Sequence, residues 1–332
     1  MLFRSQTMNS VTEDFAYTFD LSGRLTQTDK NSSTVAKYQY DSNSNRTGGI
    51  IGAQTTTGVY DDQDRLTLYN VYTFGYSANG DLQSKTNTLL SQTTQYASDV
   101  FGNLKQVTLP NSDVIKYEVD ALNRRIAKRV NNVVQKRWVY KDQTNIAAEL
   151  DANGNLVKRF VYSSKPNVPD YFIENGEDYR IISDHLGSPR LVIKVSNGAI
   201  VARMNHDEFG RVTEDTNPGL IPFGFAGGLY DADTGLVRFG ARDFDPEIGR
   251  WTSKDSYLFN GASANLYGYA FYDPVNFIDP SGNFGIIGGL LGGAVGGYVG
   301  YIGALKNGGD PYKAALVGAA RSEEHTSELQ SH

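Results

Sequence analysis

The chain has 332 residues, enough for one or two domains with a sizeable core, and a net charge of −6 at pH 7. That mild acidity supplies no basic surface for nucleic acid, and the absence of cysteine excludes disulfides, thiol catalysis and cysteine-built zinc sites. With only 4 histidines, we expect neither a metal nor another cofactor. The 21 Tyr, 16 Phe and 35 Gly suit pleated strands and tight turns, so the composition favours an all-β protein.

The two ends of the chain look foreign to the rest. The opening MLFRS, residues 1–5 of an N-terminal stub at 1–14, resembles one strand of a sequencing-library adapter translated in frame. The closing RSEEHTSELQSH, residues 321–332, resembles the other strand. We expect the natural protein to continue beyond both ends, the alternative being an ordinary N-terminus and an ordinary polar helix end.

Residues 15–182 carry a repeated pattern, in which an aromatic-rich strand leads into an Asp-led turn and an apolar strand follows. YTFDLSGRLT at 17–26, VYDDQDRLT at 59–67 and YEVDALNRRI at 117–126 are three of eight copies, the last of which begins at residue 205. The third residue after the lead position tolerates positive φ in all copies except that of Ser44. These turn residues are Gly23, Asp64, Gly80, Gly102, Asn123, Gly154 and Gly210.

Paired aromatic residues precede the turns at a spacing of two, as in Tyr17 and Phe19 or Trp138 and Tyr140. Alternation of this period places both rings on one face of a sheet. Each unit is therefore predicted to be a β-hairpin, and successive hairpins must stack edge to edge because a lone hairpin is marginally stable. The rings either line a cavity or fill a β-core.

Three longer motifs follow the repeats in a fixed order. They are DHLGSPRLV at 184–192, FAGGLYDADTGLVRFGARDFDPEIGRWTSKD at 225–255 and NLYGYAFYDPVNFIDPSG at 265–282. With the repeats, they make residues 15–282 resemble the Rhs/YD-repeat family, to which toxin-complex C subunits and animal teneurins are related. The resemblance implies that the hairpins spiral into a hollow β-shell, and that 183–282 is an Rhs repeat-associated core. The repeats are few, so we expect an open or partial shell.

In this family the core segment resembles an aspartyl autoprotease, which cuts its own chain once, in cis, after a closing Asp-Pro-x-Gly. Matched onto this sequence, the implied catalytic residues are Arg242, Asp243 and Asp255, and the cut falls between Gly282 and Asn283. Of two close carboxylates one keeps a proton while the other accepts one from water, and a neighbouring arginine holds one of them charged. Gly282 would let the backbone approach closely because it has no Cβ.

Two neighbouring features qualify that site. Asp279 and Pro280 of the closing motif are interpreted as turn or cleavage-site geometry, not as acid or base, and so is Asp245. The family's Asp-Pro-x-Gly is replaced by DSYL at 255–258, which keeps the carboxylate of Asp255 and alters the turn after it.

Residues 283–320 form a glycine-rich, apolar segment of the kind that precedes the toxin in family members. IIGGLLGGAVGGYVGYIGAL at 286–305 is uncharged and, if helical, long enough to span a bilayer. Its glycine content makes it a poor helix in water, so a flexible linker is the alternative.

Three functions remain in competition. The first is a secreted or cell-surface shell that encapsulates its own C-terminal toxin, with a secretion-system spike or carrier and a target membrane as further partners. The second is a carbohydrate-binding or adhesion scaffold with exposed aromatics and no processing, and the third is an inactive, displaced remnant. In none of the three functions do we expect these 332 residues to bind nucleic acid.

Overall fold

The computed structural model describes residues 2–8, 11–256, 264–283 and 286–287, and strands dominate it. Within these ranges, strands β1–β21 form one antiparallel sheet, in which each strand pairs with the next along the chain. The strands are β1 Leu2–Met8, β2 Val11–Phe19, β3 Leu25–Lys30, β4 Ser33–Tyr40, β5 Arg46–Ile51, β6 Gln54–Tyr60, β7 Leu66–Tyr69, β8 Tyr72–Tyr76, β9 Leu82–Asn87, β10 Gln92–Ser98, β11 Leu104–Thr108, β12 Val114–Val119, β13 Arg125–Val130, β14 Val133–Tyr140, β15 Ile146–Leu150, β16 Leu156–Val161, β17 Tyr171–Glu174, β18 Glu177–Ser183, β19 Pro189–Lys194, β20 Ile200–His206 and β21 Val212–Asp215. The predicted all-β fold of stacked hairpins is confirmed.

The predicted turns lie between these strands and share one geometry. The third residue after the lead position has positive φ in all eight copies, including Ser44 at 65°. The lead aspartate fastens the turn with its side chain: Asp120 Oδ1 accepts hydrogen bonds from Leu122 N at 2.9 Å and Arg124 N at 3.0 Å. Equivalent bonds form at Asp20, Asp41, Asp61, Asp99, Asp151, Asp184 and Asp207.

Tyrosines just before the turns join one repeat to the previous one. Tyr140 Oη donates to the carbonyl of Arg125 at 2.9 Å, and Tyr162 Oη donates to that of Ile146 at 3.0 Å. Tyr40 makes the same bond to Leu25 O at 2.8 Å. These bonds satisfy a partly buried hydroxyl in each of these three repeats and join neighbouring hairpins laterally.

Residues 216–283, here called the inner segment, pack against one face of the large sheet. Their strands β22 (Leu229–Tyr230), β23 (Val237–Phe239), β24 (Arg242–Asp245) and β25 (Arg250–Trp251) form a small antiparallel sheet, and β26 (Phe277–Ile278) pairs with β27 (Ile286–Ile287). Single 3₁₀ turns occupy Phe225–Gly227 and Ala270–Tyr272.

The ring-bearing face of the large sheet is covered by the inner segment. Phe74 and Tyr117 share one core cluster with Leu236 of the inner segment, and Trp138 shares another with Phe223. These rings therefore fill a β-core, whereas Phe15 and Tyr17 line the cleft described below.

The large sheet remains open. No pairing of β1 with β21 closes it within the described ranges, which confirms the expected open or partial shell. A cleft of about 1010 Å³ lies between β1–β5 and β18–β21. The sheet runs from residue 2 to 215, so the predicted boundaries after 14 and 182 fall inside β2 and β18.

The predicted glycine-rich segment at 283–320 lies outside the described residues apart from Asn283, Ile286 and Ile287, as do residues 321–332. Among the residues that are described, no helix has the length and hydropathy needed to cross a membrane.

Candidate active site

Strand β24 carries the site because its residues alternate between two faces. Arg242 and Phe244 face the closing Asp-Pro-x-Gly loop and the aromatic core of the inner segment, whereas Asp243 and Asp245 face the large sheet. Adjacent residues of one strand cannot reach the same partner. Arg242 and Asp243 are therefore held in different surroundings.

The guanidinium of Arg242 is the centre of the first face. Its Nη2 lies 2.7 Å from Asp255 Oδ2 and 3.5 Å from Asp279 Oδ2, and its Nε donates a hydrogen bond to the carbonyl oxygen of Gly282. The group also lies over the ring of Trp251, 4.2 Å from the centroid. Burial lowers the pKa of Arg242, while the two carboxylates oppose that shift, so a charged guanidinium sits in a site largely closed to water.

The loop that carries the predicted cut packs directly on the β23–β24 hairpin. Ala241 N donates to Ser281 O at 2.9 Å, and Gly282 has a φ of +71°. A Cβ on Gly282 would overlap the carbonyl oxygen of Phe239 and lie 2.9 Å from Arg242 N. Only glycine brings the backbone this close to the hairpin.

Both sides of the peptide bond between Gly282 and Asn283 are held. Arg242 binds the carbonyl oxygen, and the amide nitrogen of Asn283 donates to Asp279 Oδ1 at 3.1 Å. The side chain of Asn283 accepts a hydrogen bond from Ser256 Oγ at 2.9 Å. The arrangement places a cation at the oxygen and a carboxylate at the nitrogen of one partly buried peptide bond.

Asp243 lies apart from this arrangement. Its two oxygens are taken by Arg125 Nη2 at 2.8 Å and Arg238 Nη1 at 2.9 Å, and its side chain is 1 % exposed. The sequence interpretation paired Asp243 with Asp255, but the carboxylate that joins Asp255 at Arg242 is Asp279. Asp279 also accepts a hydrogen bond from the hydroxyl of Ser281 at 3.0 Å, in addition to the one from Asn283 N.

Sequence reasoning missed the contribution of the large sheet. Arg125 in β13 binds Asp243, and Lys85 in β9 lies 3.1 Å from Asp245 Oδ2. The sequence signal for Arg125 was a charged residue at a strand position that the alternation predicts to be buried.

A cavity of about 40 Å³, lined in part by Arg125, Arg238 and Pro280, adjoins the loop and has room for a water molecule. Over the described ranges, no group of three or more His, Cys, Asp or Glu side chains is arranged to hold a metal.

Comparison with known proteins gives a consistent set of relatives. A family model described as Teneurin YD-shell matches residues 3–275, a range that includes Arg242, Asp243 and Asp255 and ends before Asp279. Teneurin-1 of Gallus gallus is 27 % identical over 272 residues, which are 79 % of this chain and 10 % of that protein.

A bacterial protein and a solved structure are also similar to the chain. The tRNA3(Ser)-specific nuclease WapA of Bacillus spizizenii is 28 % identical over 263 residues, which are 76 % of this chain and 11 % of that protein. The TcdB2–TccC3 crystal structure aligns with a TM-score of 0.44 and 18 % identity over 81 % of this chain and 19 % of its own. The chain thus spans about a tenth of the length of the curated relatives it matches.

Proposed function

The chain belongs to the Teneurin YD-shell family, and from that premise we propose that it is part of a shell that releases a C-terminal effector by cutting its own backbone after Gly282. The observation that supports the cut is the partly buried peptide bond between Gly282 and Asn283, held at its oxygen by Arg242 and at its nitrogen by Asp279.

The chemistry proposed is a single hydrolysis in cis. Water adds to the carbonyl carbon of Gly282, and Arg242 stabilises the negative charge that develops on the oxygen. The bond to Asn283 N then breaks, leaving a carboxyl group on Gly282 and an amine on Asn283. One proton of the water ends on that nitrogen, and Asp279 is the group placed to deliver it.

Asp255 has the complementary role in this scheme. It shares the guanidinium of Arg242 with Asp279, so one carboxylate of the pair can stay charged while the other holds a proton. The charged member accepts the proton from the attacking water. Because the bond is already bound in place, positioning replaces substrate recognition.

The test follows the mass of the chain after refolding from denaturant. We expect a product that begins at Asn283 and a second that ends at Gly282. Arg242→Gln should slow the cut by at least ~100-fold, because it removes the donor at the carbonyl oxygen. Asp279→Asn and Asp255→Asn should slow it by about 100-fold or more, as expected for loss of a general acid or base.

Asp233→Asn is the matched control, because Asp233 is a half-exposed carboxylate of the same inner segment that pairs with Lys128. It should be cut at the rate of the parent. If the parent stays intact, the processing function is wrong for this chain, and the carbohydrate-binding scaffold and the inactive remnant remain.

The delivery part of the proposal concerns the longer protein. A cleft of about 1010 Å³ is the size of a small-molecule site, so enclosing a protein effector needs more of the shell than this chain supplies. We place that longer protein outside the cell or on its surface, with its own effector as partner. One relative is named a tRNA-specific nuclease, which supports an enzyme as the cargo.

A further inference from the structure

We infer that Arg125 and Lys85 of the large sheet are positioning residues for the cleavage, so that the cut is made only after the sheet has wrapped the inner segment. The inference deepens the proposed function and rests on it. It assigns to two strands of the repeats, β13 and β9, a part in a reaction whose contacting groups all lie in the inner segment.

The first step is the geometry of β24. The face that carries Arg242 holds the reacting loop, and the opposite face carries Asp243 and Asp245, two residues apart. Lys85 binds Asp245 and Arg125 binds Asp243, so the sheet grips β24 at two successive positions of one face. If β24 moves because its contacts on that face are lost, Arg242 on the opposite face moves with it.

The second step is the burial of Arg125. Its side chain is 1 % exposed, its guanidinium carbon lies 3.5 Å from the centroid of the Tyr117 ring, and its Nη2 lies 2.8 Å from Asp243 Oδ1. Burial alone would lower the pKa of Arg125, but Asp243, Tyr117 and Asp231 together outweigh it and the pKa is raised. Arg125 depends strongly on this pair, because without Asp243 it would be a buried charge that has lost its ion-pair partner.

The third step separates the two arginines on Asp243. Arg238 belongs to β23 and therefore travels with the inner segment, whereas Arg125 lies 118 residues away from Asp243 in the sequence. Arg238 in turn reaches the turns of the repeats, with Nη2 2.7 Å from Asn103 Oδ1. Before the sheet wraps the inner segment, Asp243 has one of its two cations and Asp245 lacks Lys85.

The rate of the proposed cut depends on how accurately the hairpin that carries Arg242 holds the loop at Gly282. Ala241 N, the neighbour of Arg242, holds Ser281 O at 2.9 Å, and Gly282 fits against the hairpin only without a Cβ. A misplacement of about 1 Å at a reacting centre can cost 100-fold in rate. Loss of the grip on β24 should therefore slow the cut without touching a group that contacts the reacting bond.

The experiment compares cleavage rates of the full chain and its variants after refolding. Arg125→Met should slow the cut by about tenfold or more, and Arg125→Lys should recover most of the rate because it restores the charge. Lys85→Met should slow the cut less, since Lys85 is less buried. Arg124→Met is the control: Arg124 neighbours Arg125 but pairs with Asp120 in the turn, and this variant should be cut at the parental rate.

A double variant distinguishes positioning from general stabilisation. If Arg125 acts through Asp243, Arg125→Met combined with Asp243→Asn should be no slower than Asp243→Asn alone. Additive slowing, or a parental rate for Arg125→Met in a parent that is cut, would overturn the inference and leave the proposed function standing.

If the parent chain is not cut, the proposed function is wrong. The effect of the sheet on the position of the loop is then measured by amide hydrogen exchange. Arg125→Met should raise the exchange rate of Ala241 N about tenfold, because that amide is bonded to Ser281 O. An unchanged rate would show that the sheet does not position the loop.

Discussion

The large sheet and the inner segment satisfy their charged groups in opposite ways. In the sheet, Asp120 finds its hydrogen-bond partners within four residues, at Leu122 N and at Arg124. In the inner segment, Asp243 pairs with Arg125 across 118 residues. Asp231 likewise binds Lys128 Nζ at 2.5 Å, across 103 residues.

This difference implies an order of assembly. Contacts that are local in sequence form quickly and with little loop-closure entropy, so each hairpin can take its turn geometry independently of the rest. In the inner segment, Asp243 has one local partner, Arg238, but its second cation, Arg125, comes only from the finished sheet. The inner segment, which holds the candidate bond, therefore depends on the large sheet for its assembly.

The largest predicted effect compares one aspartate from each region. Asp243→Ala leaves Arg125 and Arg238 buried without their carboxylate, and we expect a loss of at least about 3–5 kcal/mol in the free energy of unfolding. Asp120→Ala removes turn hydrogen bonds and a partly exposed ion pair with Arg124, which water can replace, and we expect a loss of about 1–2 kcal/mol. Urea denaturation measures both, and equal losses would remove the distinction between the regions.

The second prediction concerns His206, a residue of the large sheet whose ring nitrogens are buried, with no local hydrogen-bond partner among the described residues. The ring nitrogens of His206 in β20 are buried and have no hydrogen-bond partner within the described structure, and burial, with Arg190 adding to it, lowers the pKa of His206 to about 3. Acid protonates the unfolded state first, below the ordinary value of 6.5, so stability is lost as the pH falls from there towards 3. His206→Phe should be at least as stable as the parent near neutral pH.

The measurement for His206 is the difference between variant and parent. Between about pH 6.5 and pH 5 the variant should lose about 1–2 kcal/mol less than the parent. Some acid sensitivity should remain, because burial also lowers the pKa of His185 to about 3. Parallel curves for the two proteins would mean that His206 is not held neutral by its surroundings.

Much of the sheet was predictable because its rules are local. The lead aspartate and the third residue after it predict a turn. The alternation of aromatic residues with a period of two predicts which face of the strand is buried. Even Ser44, which breaks the residue pattern, keeps the conformation with φ at 65°, because the hydrogen bonds of the turn outweigh the preference of one residue.

The candidate site was predictable only in part, for the same reason. Motif matching located Arg242, Asp255 and the loop at Gly282, which the structure brings together. It did not show that Asp243 faces away, or that Asp279 reaches the same guanidinium. Those facts depend on which face of a four-residue strand meets a sheet more than 100 residues away in the chain, and spacing along the sequence does not encode that.

A third prediction tests whether the repeats are equivalent, as the comparison assumes. Tyr140→Phe removes one hydroxyl that joins neighbouring repeats, and we expect a loss of about 1 kcal/mol in the free energy of unfolding. Tyr162→Phe removes the same bond one repeat later and should cost the same. Denaturation with urea measures both, and a marked inequality would show that the repeats are not interchangeable.

The smallest effect should come from the one turn whose residue goes against the pattern. Ser44→Gly relieves a left-handed conformation and gives up the hydrogen bond from Arg24 at 3.1 Å, for a net gain of about 0.5 kcal/mol. The reverse change, Gly23→Ser, meets open space but imposes a φ of +82° on a side chain, so it should cost about 1 kcal/mol. Opposite signs for the two variants in urea denaturation would show that backbone conformation alone sets the cost at these turns. A loss in both would mean that the Arg24 bond matters more than φ, so that even a turn depends on its neighbouring repeat.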